Sequence, residues 1–174
     1  LFTAEAYDET ARSIPFVRRR VKKVIEASGA TPGGHTEKAV ANLLETWPRD
    51  ELFQTHSRML APMIIGAMHL VGRPRTRLFL RRDQFDRFVT AIVFVPREAY
   101  DTALRMRIAD VLTRAFAGSL VKFQPYFDTG PMARVHFEIS LDRNHPQPDR
   151  DVLENEITEL ARTWDQGFRQ ALME

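Results

Sequence analysis

The stretch RTRLFLRRDQFDRFVTAIVFVP, residues 75–96, decides the fold because it predicts two β-strands joined by a short polar turn. The first strand, 76–82, mixes arginines with apolar residues, and the turn runs from Asp83 to Asp86. The second strand, 87–95, is apolar at nearly every position. A strand with one solvated face alternates apolar and polar residues, whereas a strand covered on both faces is continuously apolar. Residues 87–95 therefore predict a central strand with both faces covered.

A helix and two further strands follow this hairpin and complete a layered domain. Residues 101–118 carry apolar side chains at helical spacing, with Gly118 as the predicted stop. Strands are predicted at 119–127 and 132–141, and a final helix begins near 149, with Trp164 and Phe168 on its apolar side. The order ββαββα predicts an α+β, ferredoxin-like layer entered at a permuted point, with a four-stranded antiparallel sheet. Strands two and four are then central, and Pro125 in strand three fits an edge.

Residues 1–72 predict a helical segment that precedes the sheet domain at 73–174. The first helix follows Ser13, its predicted N-cap, and the basic run from Arg18 to Lys23 is interpreted as a solvated face. A second helix is predicted at 35–48, and residues 48–54 are interpreted as a short connection. A third helix, 55–72, is nearly apolar all round and is predicted to be buried, with His69 as a core or interface residue.

The composition indicates a globular protein and argues against nucleic-acid-binding, disulfide-linked and membrane-spanning classes. Hydrophobic residues make up 44% of the 174 residues, with 12 Phe, which is ample for a core. The net charge of +2 is too small for the concentrated basic footprint of a nucleic-acid-binding protein. The chain has no cysteine, which excludes disulfides and cysteine zinc sites, and no apolar run reaches the roughly 20 residues that cross a bilayer. The start LFTAEAYDE lacks signal-peptide features, so we expect a soluble, cytoplasmic piece of a longer protein.

The sequence contains no motif typical of catalysis, cofactor binding or metal binding. The glycines do not form a G-x-G or G-K-[ST] phosphate loop, and no serine lies in a G-x-S-x-G elbow. No pair among the five histidines has metal-ligand spacing. The carboxylates Glu154, Glu156 and Glu159 of the final helix are interpreted as a solvated face. RNA binding is a distant alternative for this topology, because strand 87–95 lacks the glycine of the RNA-recognition strand motif.

Five stretches carry a resemblance to a known family: LFTAEAY (1–7), IPFVRRRVKKVIEASG (14–29), LLETWPRDELFQ (43–54), RPRTRLFLRRDQFDRFVTAIVFVPREAY (73–100) and ARVHFEIS (133–140). Over essentially the whole chain, these stretches resemble the large bacterial NAD-specific glutamate dehydrogenases. The resemblance implies an N-terminal, non-catalytic region of such an enzyme, comprising a helical connector and an ACT-like domain. It also implies a homo-oligomeric parent enzyme that converts L-glutamate and NAD to 2-oxoglutarate and ammonia. The family's catalytic residues have no counterpart at any position here.

The resemblance leaves two roles open for this chain. In the first, the chain is a structural and oligomerisation segment that contacts the rest of the parent chain and other subunits. In the second, it is an allosteric amino-acid sensor, and the candidates for effector or interface contacts are Arg77, Arg81, Arg134 and His136, since arginine forks suit carboxylates. ACT domains typically bind effectors at a glycine-bearing loop after the first strand. The corresponding turn RDQFDR, 82–87, has no glycine, which favours the first role.

Overall fold

The computed structural model describes residues 10, 11 and 13–171, with side chains as far as residue 163. The chain forms two compact units, Leu1–His69 and Leu70–Glu174. None of the helices in the described part of the chain is long and apolar enough to cross a membrane.

The first unit is helical. Its helices are α1 (Pro15–Ala27), α2 (His35–Thr46), α3 (Arg49–Gln54) and α4 (Ser57–Gly72), the last of which continues past the boundary between the units. The prediction of Ser13 as the N-cap of α1 is wrong. Ile14 occupies that position, while the Ser13 hydroxyl donates to the Thr10 carbonyl.

The interpretation of residues 48–54 as a connection is also wrong, because α3 forms there. Pro48 precedes the helix with an extended backbone, and acidic residues in the first turn suit the positive end of the helix dipole. The guanidinium of Arg20 donates to the carbonyl oxygens of Leu52 and Thr55, each at 2.7 Å. Arg20 thus satisfies carbonyls at the C-terminal end of α3, which otherwise lack an intrahelical partner. It is the exception in a basic run whose other charged side chains are exposed, as predicted.

Helix α4 is buried on one side only, which corrects the prediction of a helix buried all round. Leu60, Ile64 and Leu70 are buried, whereas Met59 and Val71 are exposed. His69 is exposed as well, so the core alternative of its prediction is wrong, and the interface alternative stays a prediction.

The second unit confirms the predicted ββαββα order. Its elements are β1 (Arg77–Arg82), β2 (Phe88–Pro96), a short 3-10 turn (Arg97–Ala99), α5 (Thr102–Phe116), β3 (Ser119–Phe127), β4 (Met132–Ser140) and α6 (Arg150–Ala171). The sheet is antiparallel in the order β1-β2-β4-β3, so the second and fourth strands are central, as predicted. Pro125 lies in the edge strand β3.

Helix α5 begins and ends at specific contacts. The Asp101 side chain caps its start by accepting a hydrogen bond from the Leu104 N–H at 2.7 Å. At its end Ala117, not the predicted Gly118, takes the left-handed conformation, with φ of 48°. Gly118 is needed for a steric reason, because a Cβ at this position would lie only 2.1 Å from the carbonyl oxygen of Ser140. This close approach lets β3 start beside the end of β4.

Both faces of β2 are buried, as its apolar sequence predicted. On one face Val89, Ala91 and Val93 are fully buried and pack with α5 and α6 in the main core. On the other face Thr90 and Ile92 are each only 2% exposed. The apolar side of α6 contributes Leu153, Ile157 and Ala161 to the core; the predicted contributions of Trp164 and Phe168 lie outside the described side chains.

Candidate effector or interface surface

The four predicted site residues lie on one face of the sheet, the face turned away from α5 and α6. Because side chains alternate along a strand, the register groups the following residues there, and we call the group the arginine face: Arg77, Phe79 and Arg81 on β1; Phe88, Thr90, Ile92 and Phe94 on β2; Arg134, His136 and Glu138 on β4; Lys122, Gln124 and Tyr126 on β3. The sheet thus brings together residues that are up to 61 positions apart in the sequence (Arg77 to Glu138).

Cross-strand rows define the layout of the arginine face. One row contains Arg77, Phe94, Arg134 and Tyr126, and His136 lies in the next row beside Ile92. Arg81 is in a third row, opposite Thr90. The cations are therefore interleaved with aromatic and aliphatic side chains and do not form one compact cluster.

Three of the four predicted residues are buried. The exposed fractions are 6% for Arg81, 5% for Arg134 and 4% for His136. Each already takes part in polar, ring or electrostatic contacts within the chain. Burying a cation is unfavourable unless it is compensated, so the contacts of Arg81 and Arg134 within the chain must offset the hydration that they lose.

Arg134 shows the effect of this burial most clearly. Desolvation lowers its pKa to about 10, while the nearby Tyr126 and Asp128 act in the opposite direction. Its guanidinium lies 4.4 Å from the centre of the Tyr126 ring, a cation–π geometry that partly replaces lost hydration. Arg81 similarly lies 5.9 Å from the ring centre of Phe88. The rings therefore replace part of the hydration that the two guanidinium groups lose on burial.

Arg77 differs from the other three because it turns towards the edge of the sheet. Its guanidinium pairs with the Glu154 carboxylate at 2.9 Å, and the second oxygen of Glu154 accepts the Leu78 N–H at 2.8 Å. Arg150 approaches the same oxygen at 3.3 Å. Glu154 therefore caps the outer edge of β1, and its interpretation as part of a solvated face is wrong. Its place beside Leu153 on the apolar side of α6 was the signal available in the sequence.

The turn between β1 and β2 is closed by its own side chains. The Asp83 carboxylate accepts from Arg87 at 2.8 Å and from the Phe85 N–H at 3.3 Å. The hydrogen bond from Arg87 is the main reason that the pKa of Asp83 is lowered. Asp86 takes the left-handed conformation, with φ of 51°, where glycine would be the usual residue. The glycine-free turn is thus compatible with the fold.

Within the described residues, no group of three or more histidines and carboxylates is placed to hold a metal ion. The arginine face offers cations, aromatic rings and buried backbone. This set can bind carboxylates or anchor a packed interface, and it lacks a paired nucleophile and base for catalysis.

The chain matches two protein families and is similar in sequence to three bacterial enzymes. Residues 77–165 match the family described as "Glutamate dehydrogenase, ACT2 domain", and residues 14–73 match "Glutamate dehydrogenase, helical motif 1". The chain is 34% identical to the NAD-specific glutamate dehydrogenase of Halomonas elongata and 33% identical to that of Pseudomonas aeruginosa, in each case over 100% of this chain. It is 31% identical, over 94% of its length, to the enzyme of the same description from Mycobacterium tuberculosis. The chain spans only 11% of the length of each relative.

Proposed function

Because this chain belongs to the glutamate dehydrogenase ACT2 domain family, we propose that it is a non-catalytic structural and oligomerisation segment of a longer glutamate dehydrogenase. The parent enzyme oxidatively deaminates L-glutamate to 2-oxoglutarate and ammonia, with water supplying the keto oxygen and NAD accepting the hydride to become NADH, and NAD binds outside this segment. Residues 1–72 serve as a helical connector, and residues 73–174 form an ACT-like domain. The parent is a cytoplasmic homo-oligomer, and this segment contacts the rest of its own chain and other subunits.

The burial of the arginine face is the observation that carries this proposal. An effector site must open to solvent, whereas Arg81, Arg134 and His136 are each at least 94% buried and already engaged. A central strand that is covered on both faces, as β2 is, is typical of a packed scaffold. The full-length coverage of this chain by relatives named NAD-specific glutamate dehydrogenase supports the parent activity.

Steady-state kinetics of the full-length protein would test the structural role. We expect Arg134→Met to lower the melting temperature or shift the oligomeric state, because it removes a buried cation from its ring partner. The kcat per folded subunit and the KM values for glutamate and NAD should stay within about twofold of the original. Arg143→Met, at an exposed loop position, is the matched control and should change neither the melting temperature nor the oligomeric state. A tenfold change in either KM with unchanged assembly would refute the role.

Amino-acid sensing is the second candidate, and the position of Arg81, Arg134 and His136 on the same face of the sheet favours it. A ligand of the native state raises stability by about 2.7 kcal/mol at a concentration of 100 Kd. In a thermal-shift assay of the full-length protein, a sensor should be stabilised by millimolar glutamate, aspartate or arginine, and Arg81→Met should abolish that shift. The absence of any shift across the common amino acids would eliminate this candidate.

A further inference from the structure

The edge strand β3 extends beyond the layer formed by α5 and α6. On the helix side of the sheet, Leu120, Phe123 and Phe127 are 37%, 42% and 46% exposed. Their register partners on β4, which are Ile139, Phe137 and Ala133, are completely buried. The helical layer therefore covers β4 and stops short of β3. We call the exposed strip formed by Leu120, Phe123 and Phe127 the β3 ledge.

The chemistry of β3 disfavours pairing with another strand. Pro125 removes one backbone donor, the register shifts between Leu120 and Lys122, and Lys122 places a charge on the edge. Proline, a bulge and lysine are the devices by which edge strands resist strand addition. A partner at this edge is therefore expected to pack against the side chains of the ledge and not to form backbone hydrogen bonds with β3.

Arginines lie against both aromatic rings of the ledge. The Arg105 guanidinium is 3.7 Å from the ring centre of Phe123, and that of Arg97 is 5.9 Å from the ring centre of Phe127. The Arg97 guanidinium donates a hydrogen bond to the backbone carbonyl of Asp128. Among the residues that the structure describes, neither Arg97 nor Arg105 forms an ion pair with a carboxylate side chain. The ledge is thus an apolar strip with a cationic rim, and its electrostatic complement is an apolar surface with a carboxylate rim.

We propose that the β3 ledge docks an amphipathic α-helix whose apolar stripe is flanked by Asp or Glu. Such a helix would lie beside α5 and extend the helical layer over β3, at the usual spacing of about 8–10 Å between packed helices. The eight residues from Leu120 to Phe127 are separated by seven steps and span about 23 Å at about 3.3 Å per step. At about 1.5 Å per residue a matching helix has about 15 residues. This inference specifies a docking surface for the structural role proposed above and rests on that role.

A second copy of this chain is a poorer occupant than such a helix. In a two-fold symmetric contact the same patch of each copy meets its counterpart. The cationic rims carrying Arg97 and Arg105 would then face each other, and like charges across an interface are unfavourable. The occupant is therefore a segment of different sequence, for which the remainder of the longer polypeptide is the nearest source.

Hydroxyl-radical footprinting of the full-length protein tests the proposal with an internal control. Phe85 lies in the β1–β2 turn, is 65% exposed, and has its own arginine partner, Arg87, at 5.1 Å. If nothing covers the ledge, Phe123 should be oxidised at about two-thirds of the Phe85 rate, from the exposed fractions of 42% and 65%. If a helix is docked, we expect Phe123 and Phe127 to be oxidised at least about fivefold more slowly than Phe85. A ratio near two-thirds would overturn the proposal.

Charge variants and cross-linking then identify the occupant. Arg105→Glu should raise the oxidation of Phe127 towards the Phe85 rate, while Arg105→Lys and the neighbouring control Arg107→Glu should leave it protected. A photo-reactive amino acid at Val121, which is 56% exposed, should cross-link to a helical segment with flanking carboxylates. Cross-links to β3 of another copy, to a β-strand or to nucleic acid would each overturn the proposal, as would the lack of any cross-link.

The outcomes also separate this proposal from the structural role itself. If the ledge is unprotected and Arg134→Met leaves the KM values unchanged, the docking helix is refuted and the structural role still stands. If the ledge is protected but Arg134→Met strongly alters the KM values, the structural role is refuted. The ledge would then be a contact within a substrate-binding assembly.

Discussion

Replacing Glu154 should destabilise the second unit more than any other single carboxylate substitution on the described part of α6. Glu154→Ala deletes an acceptor that holds the Leu78 N–H at 2.8 Å and the Arg77 guanidinium at 2.9 Å, and the Glu154 side chain is only 16% exposed. Hydrogen bonds to charged groups contribute about 1.5–3 kcal/mol each. Arg77 is 27% exposed and can recover part of its hydration, so we expect a total loss of about 2–3 kcal/mol.

Urea unfolding of the chain, followed by circular dichroism, would measure this loss as a lower midpoint at unchanged slope. The matched control is Glu156→Ala, which removes the ion pair between Glu156 and Arg114 at 3.1 Å. These side chains are 50% and 71% exposed, so the expected cost is below about 0.5 kcal/mol. Equal effects of the two substitutions would refute the conclusion that Glu154 caps β1, and so would a Glu154→Gln variant as stable as the original.

Three further predictions concern other contacts. Gly118→Ala should cost about 3 kcal/mol or more in urea unfolding, because its Cβ would overlap a backbone oxygen at 2.1 Å, whereas Gly130→Ala, with no atom within 4 Å, should cost little. Arg20→Ala should lower stability by about 2 kcal/mol through loss of two carbonyl contacts at the end of α3, and a heat-denaturation scan should show no comparable effect for the exposed Lys22→Ala. The pKa of Asp83 is lower in the folded state than in the unfolded chain, so its stabilisation is complete above the ordinary aspartate pKa of about 4 and is lost as pH falls through the lower folded value. Asp83→Asn should therefore reduce the stability difference between pH 6 and pH 3, and an unchanged pH profile would contradict this assignment.

The sequence predicted the order of elements and the position of each strand in the sheet. Continuous apolar residues in β2 and alternation in β4 are local patterns, and they report directly whether one or two faces of a strand are covered. Two of the errors arose where a distant residue decides the outcome. Residues 48–54 form α3 with the help of Arg20, which is about thirty positions away, and Glu154 is recruited by Leu78 from across the domain.

The sequence by itself determined the α+β class, the family resemblance and the candidate residues of the arginine face, because each depends on residue type and short-range periodicity. Only the tertiary structure decided that Arg81, Arg134 and His136 are buried, that Glu154 caps an edge, and that β3 stays exposed. The physical reason is that burial and pairing are properties of what packs against a residue. Strand pairing and helix docking bring those neighbours from remote parts of the chain, so residue type and short-range periodicity alone did not identify them.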